Sequence, residues 1–488
     1  MAMQTQQTQS RMTPLAQLRQ LWNDYPAAAG IAFVAIAIGF LSIINRNLLL
    51  FPLWSSIAFP MLAVSPFVIF GLKMPPRIKV ALALLVVIIV VPLLGFSDGF
   101  YLELAIQIGI YGTLALGLNI VIGFAGLLDL GYIAFFAVGA YLWGVFASTG
   151  GDTIIAQSHA LASPQLFYVF IFGGIALAAL FGILLGLPVM RLRGDYLAIV
   201  TLGFGEMIRI LISNLNNVSS DPATTVNITN GAQGLPGVAS PPLPPVLFSG
   251  VQSIAQLLPF AKVNNPQAFT YQLFFYGLVV LIAAVAVLIA TRLDNSAIGR
   301  AWTAIREDEI AARAMGVPLV KMKLMAFAMG ASFAGAMGTI YAAKQTFVSP
   351  ESFSFNQSIF IVVIVIVGGM GSIRGVLTGA VAVTLLNLQI LPNISLLINS
   401  FKNDSRVATW IQDIFKAWPA QLEVAKYQRF VFGILLVLMM IFRPAGLVPE
   451  SRRKLELQKP TPRDEPPLPL EPPTPLSPEA IPVIPGNE

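Results

Sequence analysis

Few side chains in this 488-residue chain could do chemistry, and most of those lie inside apolar sequence. Glu206 sits within YLAIVTLGFGEMIRILI, with Arg209 one helical turn later. An ionisable residue in so apolar a setting marks a transport route or a proton relay by default. The plainer alternative is an i,i+3 ion pair that neutralises itself within the protein. Asp129 precedes Leu130-Gly131-Tyr132 at the end of an apolar run, where water can reach it. It reads as a cap or as a second proton site. Gly117, Gly123, Gly126, Gly131 and Gly139 follow one another through the same region. Such glycines let helices approach closely, or mark a broken helix that lines a substrate route. Gly368-Gly369-Met370-Gly371-Ser372 has the look of a phosphate loop, but it lies in an apolar run with no lysine behind it. Close helix approach or a break in a span accounts for it better. Asn119, Tyr132, Glu206, Arg209, Gly369, Gly371 and Ser372 are therefore the candidates for lining a path.

Enzyme chemistry finds no footing. The sequence holds no Gly-x-x-x-x-Gly-Lys-Ser/Thr phosphate loop, no His-Glu-x-x-His and no plausible catalytic triad. Zero cysteines exclude disulfides, thiol catalysis and thiolate metal ligands, and the single histidine, His159, falls in a polar loop. The expectation is a non-enzyme with no metal and no cofactor of its own. The formal net charge of +6 is what the cytoplasmic loops of a membrane protein require, and it does not point to nucleic acid.

The elements that must position these residues are set by the solvent. Hydrophobic residues make up 56% of the chain and charged ones 11%, with a mean hydropathy of +0.78. Soluble domains carry roughly 25% charged residues. Apolar runs near 27–44, 50–71, 78–96, 101–122, 131–148, 166–190, 195–213, 270–291, 324–343, 357–371, 375–391 and 428–442 predict ten to twelve spans. Lipid-exposed loops and open sheet edges leave backbone groups unpaired, and the alternating pattern of a barrel is missing, so the spans are expected to be helices. The fold class is an all-α polytopic membrane protein.

Lys and Arg in the short loops place both termini in the cytoplasm. The organisation expected is a polar N-terminus over 1–26, accessory helices over 27–96 and a core over 97–450. An external loop spans 214–268, and a Pro-rich, disordered cytoplasmic tail covers 451–488. Trp410, Ile411, Ile414, Phe415 and Trp418 recur at helical spacing, which predicts a helix lying in the lipid interface.

Residues 292–323 (RLDNSAIGRAWTAIREDEIAARAMGVPLVKMK) hold six basic and four acidic residues between two apolar segments. Asp294, Asn295 and Ser296 are cap types that can start one short helix. Glu307, Asp308 and Glu309 fit the first turn of a second, where the macrodipole favours carboxylates. Gly316 is a left-handed stop and Pro318 prevents continuation. A helix–break–helix of this charge is either a solvated loop or a surface for a soluble partner. Ala311-Ala312-x-x-x-Gly316 resembles the Ala-Ala-x-x-x-Gly core of the loop by which ABC importer permeases dock on their ATPases. Ile310 stands where that motif opens with Glu, while its small-residue packing is kept. Arg306, Glu307, Asp308, Glu309, Ala311, Ala312 and Gly316 are the residues expected to couple to an ATPase.

Several long blocks across roughly 101–450 then match in order: GLNIVIGFAGLLDLGYIAFFAVGAY from Gly117, RLRGDYLAIVTLGFGEMIRIL from Arg191, GRAWTAIREDEIAARAMGV from Gly299, VSPESFSFNQSIFIVVIVIVGGMGSIRG from Val348 and FGILLVLMMIFRPAGLVP from Phe432. Together they resemble the LivM-type permeases of branched-chain amino acid ABC importers. The resemblance implies an ABC permease fold, in the bacterial inner membrane, that forms half of a translocation pathway. It also implies a LivH-type sister permease, two cytoplasmic ABC ATPases that hydrolyse the ATP, a periplasmic substrate-binding protein and surrounding lipid. The family's external Thr-x-Gly-x-x-Gly turn is met by Thr229, Gly231 and Gly234, while the stretch from about 238 to 268 and the Pro-rich tail depart from the pattern. Sister families carry urea and other neutral amino acids, so a urea permease is one alternative. An ion-coupled secondary transporter using Glu206 and Asp129 is the other.

Overall fold

In lipid every backbone N–H and C=O must find a partner within the protein, and a helix supplies one for each residue it contains. The computed structural model is helical over most of its described residues. It describes residues 51–71, 75–148, 163–189, 192, 194–216, 227–257, 265–403, 410 and 427–448. The N-terminus 1–26, the run at 27–44, the interface helix around 411–418 and the tail 451–488 lie outside the described residues.

The helices are α1 (Phe51–Gly71), α2 (Pro76–Leu85), α3 (Val91–Ser97), α4 (Gly99–Asn119), α5 (Ile133–Ala147), α6 (Phe167–Val189), α7 (Asp195–Asn214) and α8 (Pro245–Leu257). They continue as α9 (Pro266–Asp294), α10 (Ala297–Glu307), α11 (Glu309–Ala314), α12 (Leu319–Gln345), α13 (Phe355–Gly368), α14 (Ile373–Leu385), α15 (Leu391–Asn403) and α16 (Gln428–Phe442). π-turns at Val86–Val90, Ile120–Phe124 and Leu386–Ile390 carry α2 into α3, extend α4, and carry α14 into α15. Among the described residues eight helical segments are long and apolar enough to cross a membrane, and Ile57–Phe70, Ile133–Ala147 and Gln428–Phe442 are shorter apolar helices. Each apolar run named above that falls among the described residues is a helix close to its expected bounds, except 375–391, whose helix runs on through α15 to Asn403. The all-α polytopic expectation is borne out.

α12 is the hub, packed against α4, α5 and α6. Backbone touches backbone there: a methyl group on Gly139 of α5 would sit 2.1 Å from the carbonyl oxygen of Gly335 on α12. This is the small-residue contact that replaces hydrophobic driving force between helices in lipid.

α5 is short. Its 15 residues rise about 22 Å, less than the roughly 30 Å of hydrocarbon. The missing length comes from residues 125–132, which are not helical. Their backbone is satisfied by neighbours. Leu130 N–H donates to Thr201 Oγ on α7 at 3.0 Å, and Ser358 Oγ on α13 donates to the Leu130 carbonyl. The glycine run thus serves both purposes considered for it, with Gly117 and Gly139 in close helix packing and Gly123, Gly126 and Gly131 around the break.

One end of the bundle carries α10 and α11. At the other end a two-residue ribbon pairs β1 (Leu235–Pro236) with β2 (Phe347–Val348), and Ser148 bridges to Val238. The segment expected as a plain loop over 214–268 holds α8, with Val246 and Phe248 exposed and Val251 buried.

Candidate functional site

The charged stretch folds as two short helices, with one revision to the sequence reading. Ser296 caps α10, its hydroxyl accepting from Ile298 N–H at 3.1 Å and Gly299 N–H at 3.2 Å. Glu307 ends α10 instead of opening α11. Asp308 is the cap of α11, accepting from Ile310 N–H at 2.7 Å and Ala311 N–H at 3.0 Å. Only Glu309 remains in the first turn. Two orphan N–H groups at a helix start are better satisfied by a capping carboxylate than by one further along, which breaks the helix at Asp308. Gly316 takes φ +80°, as its stop role requires, and open space surrounds its Cα hydrogens.

These helices are bolted to the bundle. Trp302 is fully buried and its indole N–H donates to the Met322 carbonyl at 2.8 Å. Lys323 is buried as well, and its ammonium pairs with Glu309 at 2.9 Å. Arg306 points inward and donates to the carbonyl of Gly123, at the end of α4. Ala312 also faces inward, packed with Ile305 and Leu319. A small side chain at that position lets α11 lie flat on α10 and α12. The outward face is Ile310, Ala311, Met315 and Gly316, with Ile310 69% and Met315 85% exposed. Met315 was legible only as one more apolar residue until its exposure was known.

Beneath Arg306 lies a half-open cavity of about 220 Å³, whose lining includes Leu128, Asp195, Ile305, Arg306, Glu309 and Lys323. Deeper still, α4 meets the turn between α13 and α14. Asn119 is buried, and its side-chain oxygen accepts from the Gly371 N–H at 2.8 Å. Gly369 and Gly371 adopt φ +118° and +85°, and Ser372 caps α14 by accepting from Gly375 N–H at 3.0 Å. On the far side of the turn, Leu447 and Val448 N–H groups donate to the carbonyls of Val367 and Gly368 at 2.9 and 3.1 Å. The glycine-rich segment is therefore a tight helical turn held on two sides, in line with the helix-approach reading.

Tyr132 is fully buried and donates to the Gly330 carbonyl at 2.8 Å, which ties the start of α5 to α12. Asp129 is also buried, one oxygen accepting from Gly131 N–H at 2.9 Å and the other without a hydrogen-bond partner. Asn119, Gly369, Gly371 and Ser372 thus gather where α4 meets the α13–α14 turn, while Tyr132 lies against Gly117 and Gly330. Glu206 and Arg209 pair at 2.8 Å on α7, half-exposed, and form a separate group. Its third member was missed by sequence reasoning: Glu351, in the turn before α13, binds Arg209 at 3.0 Å. A separation of 142 residues gives no local signal for it.

Comparison with known proteins agrees with this architecture. The family described as branched-chain amino acid transport system, permease component, matches residues 100–440. The high-affinity branched-chain amino acid transport system permease protein LivM of Salmonella typhimurium is 37% identical over 383 residues, covering 77% of this chain and 76% of the relative. The protein of the same name from Escherichia coli is 38% identical over 354 residues, or 72% and 70% of the two chains. A probable branched-chain amino acid transport permease protein LivM from Methanocaldococcus jannaschii is 24% identical over 365 residues, covering 70% of this chain and 91% of its own. No solved structure matches the chain. The helical hub, the clamped surface helices and a match that spans most of the chain agree, and the protein belongs to the family of branched-chain amino acid transport permease components.

Proposed function

We infer that this protein is the LivM-type permease subunit of an ABC importer for branched-chain amino acids. It sits in the bacterial inner membrane with both termini and α10–α11 on the cytoplasmic side. It forms half of the pathway with a LivH-type sister permease. Two cytoplasmic ATPases supply the energy, and a periplasmic binding protein delivers substrate. The chain itself holds no cofactor and catalyses nothing. The observation that carries the reading is the pair of capped helices held by Trp302, Lys323 and Arg306, which present Ile310 and Met315 outward. A solvated loop needs no such anchoring, and an ion-coupled carrier needs no surface for a soluble engine.

The test is reconstitution with the four partner proteins, with labelled leucine or labelled urea supplied only outside the vesicle. ATP- and binding-protein-dependent uptake of leucine supports the reading. Uptake driven by a proton gradient without ATP, or uptake of urea in place of leucine, refutes it. Ile310→Asp with Met315→Asp should strip the ATPase from the purified complex while leaving the sister permease bound.

A further inference from the structure

Arg306 belongs to the coupling cluster by sequence, yet its guanidinium is turned away from the outer face. It donates to the Gly123 carbonyl, and its stem lies on Gly126, where a methyl group would come within 2.7 Å of Arg306 Cγ. Gly126 also holds φ +71°, which favours glycine. The next contact is as tight. A methyl group on Gly123 would fall 2.2 Å from Asn119 Oδ1 and 2.5 Å from the Gly371 nitrogen. Asn119 then accepts from Gly371 N–H at 2.8 Å, and that turn is held from behind by residues 446–448.

Four elements therefore touch in series: α10, the π-turn after α4, Asn119, and the turn at 369–372. The first step runs through Arg306, whose Cα, Cβ and Cγ lie against Gly126 and whose guanidinium is held by the Gly123 carbonyl; beyond it backbone or a rigid amide meets glycine. Close-packed contacts of this kind transmit movement instead of damping it. The other end of the series is equally stiff, because Trp302 and the Lys323–Glu309 pair fix both short helices on α12.

We propose that Arg306 is a positioning residue that carries displacement of α10–α11 into the α13–α14 turn, linking the ATPase surface to the inner end of the pathway. This rests on the docking reading above. A docking residue and a transmitting residue are distinguishable, because the first is needed for the ATPase to bind and the second only for its binding to be felt.

The experiment uses the complete reconstituted transporter with Met370→Cys as reporter, since the chain has no cysteine of its own. Met370 is half-buried in the turn itself. In the otherwise unaltered protein, a non-hydrolysable ATP analogue should change the alkylation rate at that cysteine severalfold. Arg306→Ala should abolish that change and lower uptake at least tenfold, with ATPase still copurifying at the unaltered level. Arg306→Lys, whose ammonium can still reach the Gly123 carbonyl, should recover part of both. Loss of ATPase from Arg306→Ala would make Arg306 a docking residue and overturn the proposal. So would normal uptake, a nucleotide response at Met370→Cys that survives Arg306→Ala, or no response in the unaltered protein. If the unaltered permease binds no ATPase at all, it is the importer reading that falls.

Discussion

Glu309→Gln tests whether α11 is fixed to the bundle by an ion pair or merely rests on it. Lys323 is only 3% exposed, and its ammonium has Glu309 at 2.9 Å. Removing the carboxylate leaves a buried cation without its counter-charge, which costs about 3–5 kcal/mol in a closed interior. The Glu309 side chain is 21% exposed and both residues border the half-open cavity, so water relieves part of that cost. About 2–3 kcal/mol is the expected loss of docking free energy. Ala312→Cys reads it out, because Ala312 is 4% exposed and reacts with a thiol reagent only when α11 lifts away. In the unaltered background the ratio of its rate to that of a free thiol gives the opening constant. Adding Glu309→Gln should raise the rate roughly 30- to 150-fold, since each 1.4 kcal/mol is a factor of ten. Replacing the lysine too, as Lys323→Met, removes the stranded charge and should return most of the protection. A rate increase below about threefold, or a double variant as open as the single, would refute the reasoning: the apolar contacts of Ile305, Ala312 and Leu319 would then hold α11 by themselves.

The remaining expectations concern the other groupings. Arg209→Gln should reduce the amount of permease in the membrane more than Glu206→Gln does. It strands Glu206 at membrane depth at about 2–3 kcal/mol, whereas Glu206→Gln leaves Arg209 paired with Glu351; equal losses in both variants would contradict this. Asn119→Ala leaves the buried Gly371 N–H without its acceptor, a cost of about 1–3 kcal/mol, and should lower the unfolding temperature of the detergent-solubilised protein; an unchanged transition would show that the bond is dispensable. Orientation is tested with Val246→Cys and Met315→Cys, both highly exposed and at opposite ends of the bundle. An impermeant thiol reagent should label the first in spheroplasts and the second only after permeabilisation in cells lacking the ATPase, and the reverse pattern would invert the topology.

The sequence by itself determined the spans and the local punctuation. Hydrocarbon makes each segment pair its own backbone, so apolar length alone located α4, α7, α9 and α12 to within a few residues. Ser296 and Gly316 were readable because a cap acts over two or three residues and a left-handed stop over one. The split at Asp308 was not, because Glu307, Asp308 and Glu309 are chemically equivalent until one of them has N–H groups to accept from. The amphipathic α8 was passed over in a Pro-rich stretch, where local composition argued for loop.

The tertiary structure decided which polar groups meet. Asn119 and Gly371 are 252 residues apart, Arg306 and Gly123 183, and Arg209 and Glu351 142. No periodicity encodes such pairs, because they depend on how closely glycine lets one helix approach another. Apolar residues close in sequence took opposite roles on that basis. Ala312 became core and Met315 surface within one short stretch. Arg306, a coupling residue by position, is turned inward because glycine at 126 leaves room for its side chain against the end of α4.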